Sequence, residues 1–220
     1  MCGRYNLRAT SVEIQEFFEL LREQQWDWNP RYNIAPTQPV VAVRLQEGVR
    51  RADLLRWGLL PAWARSKQRF APLINARSET LLEKPAFKSS LKRRRCLIPA
   101  TGFYEWQTLP EGKQPFHIHR PDHSLLAFAG LWEHWEQAGE QLDSCTIITT
   151  SASAMLQSLH DRMPVILPRE YWSLWLDPQL PPAAALELLQ SAPAAELIAE
   201  PVSTRVNNPR HESPDCILPA

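Results

Sequence analysis

The hydrophobic positions of this chain fall mostly into short runs. VVAVRL at 40–45, LLRWGLL at 54–60, RCLIPA at 95–100, FHIHR at 116–120, LLAFAGLW at 125–132, CTIITT at 145–150 and MPVIL at 163–167 are β-like segments. Their spacing and their β-branched and aromatic content predict a mostly antiparallel, curved or barrel-like sheet. A different period opens the chain. Val12, Ile14, Phe17, Phe18 and Leu21 form one apolar stripe among Glu and Gln, and Thr10 with Glu13 makes a capping-box pattern, so a helix is expected over about 11–24. Further helical pieces are expected at about 153–160, 169–176 and 182–191. Residues 26–39, rich in Trp, Asn and Pro, read as an irregular loop, and the tail after Pro201 reads as an ordered loop or edge strand.

Composition narrows this picture without replacing it. At 220 residues, with 44% apolar content, one domain spanning 1–220 with a substantial core is the default. Twenty prolines against seven glycines favour rigid turns and edge segments, and nine tryptophans are either core or platforms for planar ligands. The net charge is zero but unevenly spread. Residues 1–110 carry 18 Lys and Arg against 10 Asp and Glu, a balance of +8, and residues 111–220 carry 6 against 14, a balance of −8. Either one face binds a polyanion, or the halves interleave and the field averages out. The four cysteines, Cys2, Cys96, Cys145 and Cys216, form no CxxC pair, so neither a zinc ribbon nor a redox motif is expected. The start lacks the pattern of a secretory signal, and no apolar run has the length of a membrane helix. A soluble, intracellular protein with reduced thiols is expected.

Several polar residues stand apart from these patterns. Removal of Met1 would leave Cys2 with an α-amine and a thiol on one carbon framework, a 1,2-aminothiol able to attack a carbonyl or to condense with an aldehyde. Asn75, after the apolar pair Leu73-Ile74, suits an N-cap or a substrate-holding amide. Glu105, among Phe103, Tyr104 and Trp106, either faces water or is desolvated toward general acid–base work. His160, beside Asp161 and Arg162, suits a helix end or a proton shuttle. The run Lys92-Arg93-Arg94-Arg95 reads as solvated surface before it reads as a phosphate site. His117, His119 and His123 have a ligand-like spacing but no carboxylate in register, so no metal is expected.

Taken in order, MCGRY at 1–5, RYNIAP at 31–36, WGLLPAW at 57–63, INARSET at 74–80, RRCLIPATGFYEW at 94–106, FAGLW at 128–132, TIITTSA at 146–152 and HDRMPVIL at 160–167 resemble the SOS-response-associated peptidase (SRAP) family over nearly the whole chain. The resemblance implies an α+β fold: a single SRAP-type domain with a curved antiparallel barrel-like β core and peripheral helices. It implies recognition of abasic sites in single-stranded DNA and a covalent link through Cys2, with Asn75, Glu105 and His160 completing the site. It implies removal of Met1 as the peptidase activity, no cofactor, a monomer, and a cytoplasmic protein that joins the nucleoid at damage. Arg4, Arg77 and Arg162 match family positions and are expected at phosphates, with Thr149 and Ser151 adding hydrogen bonds. Trp106 is expected to stack on a base, and Pro36 and Trp63 to form a wedge at single-strand/double-strand junctions. Ala64 departs from the pattern, since the family often carries a second aromatic there. The rival readings are an N-terminal-nucleophile amidohydrolase of the glutamine amidotransferase kind, a non-covalent reader of modified DNA bases, and a protease acting on other proteins through Cys2.

Overall fold

The structure is a computed structural model, and it describes residues 2–21, 27–68 and 70–220. Twelve strands are present among these residues: β1 (Tyr5–Leu7), β2 (Arg31–Ile34), β3 (Pro39–Gln46), β4 (Val49–Trp57), β5 (Asn75–Arg77), β6 (Arg95–Ala100), β7 (Gly102–Leu109), β8 (Gly112–His119), β9 (Leu126–Gln137), β10 (Glu140–Ser151), β11 (Arg162–Pro164) and β12 (Ile198–Pro201). Four α-helices accompany them: α1 (Ser11–Phe18), α2 (Pro85–Arg93), α3 (Arg169–Leu176) and α4 (Pro182–Ser191).

Five strands close on themselves. β3 pairs with β4 and β6, β6 with β9, β9 with β10, and β10 returns to β4. In a closed ring each antiparallel contact reverses strand direction, so an odd number of strands requires a parallel contact. The β4–β10 pair, Ser144 opposite Arg56, is that parallel contact. Beyond its partnership with β9, the end of β10 binds β5 in parallel and β11 antiparallel. A second sheet, in the order β12-β8-β7-β1-β2, lies against the barrel. Tyr5 on β1 meets Trp57 and Phe128 edge-on at 5.4 and 6.0 Å, and Phe103 on β7 meets Phe128 at 5.9 Å. Gly102 opens β7 because a Cβ there would overlap the His117 ring and approach the Ile118 carbonyl to 2.7 Å.

The expected α+β fold with a barrel-like core and peripheral helices is observed. α3 and α4 have the expected bounds, as does β6; the tail after Pro201 is an ordered loop with 3-10 turns at Thr204–Asn207 and Pro214–Ile217, and the edge strand β12 lies just before it. Other expectations need correction. α1 has its capping box, with Glu13 N–H donating to Thr10 Oγ1 at 3.3 Å and Thr10 N–H to the Glu13 carboxylate at 2.7 Å. It ends at Phe18, because Glu19 turns left-handed and Leu20 N–H closes back on the Gln15 carbonyl. The expected continuation over 22–24 lies outside the described residues. The supposed loop at 26–39 contains β2. The helix expected at 153–160 is a run of turns, pinned where Ala152 N–H donates to the Asp161 carbonyl at 2.9 Å. That bond closes the loop and returns His160 to the end of β10.

The basic run is not uniformly solvated. Arg95 is 3% exposed and donates to the carbonyls of Trp175, Leu91, Lys92, Asp177 and Leu180, closing the end of α2 onto α3. Arg94 pairs with buried Glu133 at 2.9 Å. The two charge halves interleave. Arg44–Asp143, Arg94–Glu133, Arg31–Glu212 and Lys67–Glu140 all join a first-half cation to a second-half acid. The charge asymmetry along the chain is thus partly offset by pairing between the halves. Of the tryptophans, Trp57, Trp135, Trp172 and Trp175 are core, while Trp63 is 59% exposed.

Candidate DNA-lesion site

Cys2 is fully buried at the entry to β1, where the barrel and the second sheet meet. Asn75 Nδ2 donates to the Cys2 carbonyl at 2.9 Å. β5 is held for this contact by two bonds to the preceding carbonyl of Ile74, one from Trp57 Nε1 at 2.9 Å and one from Ile147 N–H at 3.1 Å. Asn75 Oδ1 is buried and has no hydrogen-bond partner among the described residues, which leaves an acceptor for an amine.

Glu105 reaches the same region from β7. The strand alternates, so Phe103 and Glu105 share the face turned to the barrel while Tyr104 and Trp106 share the other. The side chain is 5% exposed. Burial raises its carboxyl from 4.5 to about 7, and nearby Asp161 adds to the rise. Burial also holds the Cys2 thiol far above its ordinary range, with the charge of Glu105 as the second cause. The thiol is therefore protonated at neutral pH and needs a base.

His160 sits in the closed loop, partly exposed, with its titration lowered first by burial. Arg162 N–H donates to His160 Nδ1 at 2.9 Å, so the neutral ring carries its proton on Nε2. Asp161 Oδ1 lies 2.8 Å from the same Nδ1, a contact that favours the protonated ring instead. The lowered titration places the neutral arrangement first.

Register alone puts Asn75, Arg77, Thr149, Ser151 and Arg162 on one face. Arg77 stands opposite Thr149 across β5–β10, and Ser151 stands opposite Arg162 across β10–β11. Arg77 is exposed, with no ion pair among the described residues. Ser151 is exposed, whereas Thr149 is fully buried, its hydroxyl unpartnered among the described residues and its carbonyl accepting from Arg162 Nη2 at 2.7 Å. Arg162 also makes a bidentate pair with Glu79 at 2.7 and 2.8 Å. Arg4 is turned the other way: its Nη1 donates to Asn33 Oδ1 and the Val206 carbonyl, and its guanidinium lies 5.7 Å from the Trp106 ring. Trp106 is half-buried, with Nε1 donating to Asn207 Oδ1 at 2.6 Å. Trp63 packs edge-on against Phe70 at 5.6 Å, and Pro36 is half-buried in the turn after β2. Ala64 is buried, with its carbonyl accepting from Trp135 Nε1 at 2.6 Å.

Three partners have no signal in the local sequence: Glu79 for Arg162, Asn33 for Arg4, and Glu200 for His119. Glu79 was visible inside INARSET, but nothing linear joins it to position 162. The histidines at 117, 119 and 123 stack at 4.5 and 4.6 Å, and Glu200 on β12 brings His119 Nε2 the carboxylate that the local sequence lacks, at 3.1 Å. Deep burial drives His117 down to about 2, and its Nε2 accepts from Asn6 Nδ2 at 2.8 Å. Elsewhere, His211, Asp215 and Cys216 place ligand-type atoms within 4.8 Å of one another, and Asp215 is already held by Arg205 and His211. Among the described residues no helix is long and apolar enough to cross a membrane.

Comparison with known proteins gives this geometry a context. The sequence pattern of the SOS response associated peptidase (SRAP) family matches residues 1–209. The chain is 41% identical over 221 residues to the abasic site processing protein YoqW of Bacillus subtilis (strain 168), covering 99% of each chain. It is 36% identical over 264 residues to the abasic site processing protein HMCES of Gallus gallus, covering 100% of this chain and 78% of that protein. A crystal structure of a Bacteroides thetaiotaomicron protein superposes with a TM-score of 0.87 over 100% of both chains at 24% identity, a likeness of fold. A phage-related protein from Bordetella bronchiseptica superposes with a TM-score of 0.75 at 31% identity, covering 92% of this chain and 95% of that one. A family match over residues 1–209, with 41% identity to a relative across 99% of the chain, places this chain in the SRAP family.

Proposed function

We propose that this protein binds abasic sites in single-stranded DNA and, once Met1 is removed, forms a thiazolidine link through Cys2 that shields the lesion. The observation that carries the reading is the buried meeting of Cys2 with the Asn75 amide and a carboxyl that titrates at about 7. The names of the curated relatives supply the lesion.

The chemistry balances within these groups. The opened sugar presents an aldehyde carbon, and the Cys2 amine adds to it to give a carbinolamine. Protonated Glu105 gives its proton to the departing hydroxyl, which leaves as water, and an iminium remains. The Cys2 sulfur then bonds to the iminium carbon, the π pair moves to nitrogen, and the thiol proton passes to the Glu105 carboxylate. One water is released and Glu105 ends protonated, ready to reverse the sequence. A carboxyl near 7 suits both halves at neutral pH. Neutral His160 serves ring opening at the sugar hydroxyl, and Asn75 holds the Cys2 main chain and offers Oδ1 to the amine. The same groups suit a self-cleaving step that frees the Cys2 amine, and lyase-like release at the lesion.

Arg77 and Ser151 form the accessible part of the strand-binding face, and exposed Trp63 is the element suited to a duplex junction. We assign the protein as a monomer acting on nucleoid DNA. Intact mass before and after incubation with a single-stranded oligonucleotide carrying one abasic site tests the reading. The expected result is loss of Met1 and a heat-stable adduct of one oligonucleotide less one water. Cys2→Ala is expected to keep strand binding and lose the adduct, and an undiminished adduct in that variant refutes the assignment.

A further inference from the structure

Arg162 is the most enclosed arginine of the strand-binding face, and its fork is filled. Nη1 and Nη2 each donate to one oxygen of Glu79, and Nη2 also donates to the Thr149 carbonyl. The Arg162 side chain is 11% exposed and that of Glu79 is 48% exposed, so the acid is the member that solvent reaches. Two carboxylate oxygens on a guanidinium fork have the same geometry as two non-bridging phosphodiester oxygens. Glu79 reaches this face from the single turn Ser78–Thr80 that directly follows β5 with Asn75 and Arg77. Arg162 holds the Glu79 carboxyl below its ordinary range, so the acid is ionised at neutral pH.

We propose that Glu79 is a specificity-determining residue: its carboxylate occupies the Arg162 fork that a DNA phosphate takes, and so weakens attachment to undamaged single strands. The inference rests on the strand-binding role assigned to this face above. Neutralised by Glu79, Arg162 leaves Arg77 as the uncompensated arginine among the five residues aligned there by register. A passing strand then finds one accessible cation. A strand held at Cys2 by its lesion stays long enough to displace the carboxylate, which water can solvate once it leaves because its side chain is 48% exposed. Glu79 thus shifts discrimination from general phosphate affinity toward lesion chemistry.

The test measures binding of an undamaged single-stranded oligonucleotide by fluorescence anisotropy across a salt series. The chains compared are wild type, Glu79→Gln, Arg162→Gln and the double variant, each checked for folding by thermal melting. Glu79→Gln is expected to bind about two- to five-fold more tightly, the range of a partly exposed ion pair. Its log–log salt slope is expected to steepen by about 0.7, one more phosphate contact on a single strand. In the Arg162→Gln background the same substitution is expected to give no such gain. Unchanged or weaker binding by Glu79→Gln overturns the proposal, and so does an equal gain without Arg162, which marks a general charge effect. Adduct formation by wild type on abasic DNA is scored separately. Its failure sinks the lesion reading, while the anisotropy comparison still decides the role of Glu79.

Discussion

Replacing Glu105 by Gln should remove a pH dependence from folding stability. The folded chain keeps the Glu105 proton until about pH 7, because burial disfavours the carboxylate, whereas an ordinary glutamate releases it near 4.5. Between those values the folded state binds more protons than the unfolded state, so stability falls as pH rises through the window. The separation of about 2.5 pH units corresponds to about 3 kcal/mol at pH 8 and to nothing below pH 4. Gln is isosteric with the protonated acid and carries no such dependence. Urea unfolding of wild type and Glu105→Gln at pH 4, 5, 6, 7 and 8 should therefore give two curves that coincide at acid pH. They should separate above pH 5, until the variant is more stable by about 3 kcal/mol. Parallel curves, or a variant less stable at pH 8, would refute the claim that this carboxyl is desolvated in the fold. A stabilised variant that no longer forms the adduct would show the strain that the site maintains for its chemistry.

Two further outcomes follow from particular contacts. Arg77→Gln should weaken single-strand binding and flatten the log–log salt slope by about 0.7 if, as proposed, this exposed arginine meets phosphate; an unchanged slope in anisotropy counts against that role. Arg95→Met should cost about 3–5 kcal/mol in urea unfolding, because five buried or partly buried carbonyls lose their donor at once, and a loss under 1 kcal/mol would mean they find other partners.

Cys2 stood out by its place directly behind Met1, and Asn75, Glu105 and His160 because a polar group interrupts an apolar or aromatic pattern. The same logic misjudged Arg95, which lies in an uninterrupted basic run and looks like its solvated neighbours until α3 and the turn after it supply carbonyls. It misjudged 153–160 as well. Those residues suit a helix, but the bond between Ala152 and Asp161 fixes the loop ends too close together for regular turns to continue. Strands of three or four residues, β1, β2 and β5, fall below any periodicity signal, although β1 and β5 carry or flank the site.

Local chemistry in the sequence determined the capping box of α1, the bounds of α3, α4 and β6, and the kinds of groups offered to the carbonyl reaction proposed above. These depend on side chains within a few residues of one another, and a linear reading reaches that far. Tertiary structure decided the rest. Closure of five strands forced the one parallel contact of the ring, β4 against β10, and β10 then carried β5 and β11 to the same end. The meeting of the two sheets buried Cys2 and Glu105, and burial raised that carboxyl to about 7. The cross-half ion pairs and the hold of Glu79 on Arg162 join residues 39 to 181 positions apart in sequence. Pairing energies and desolvation depend on distance in space, and only the folded chain sets that distance.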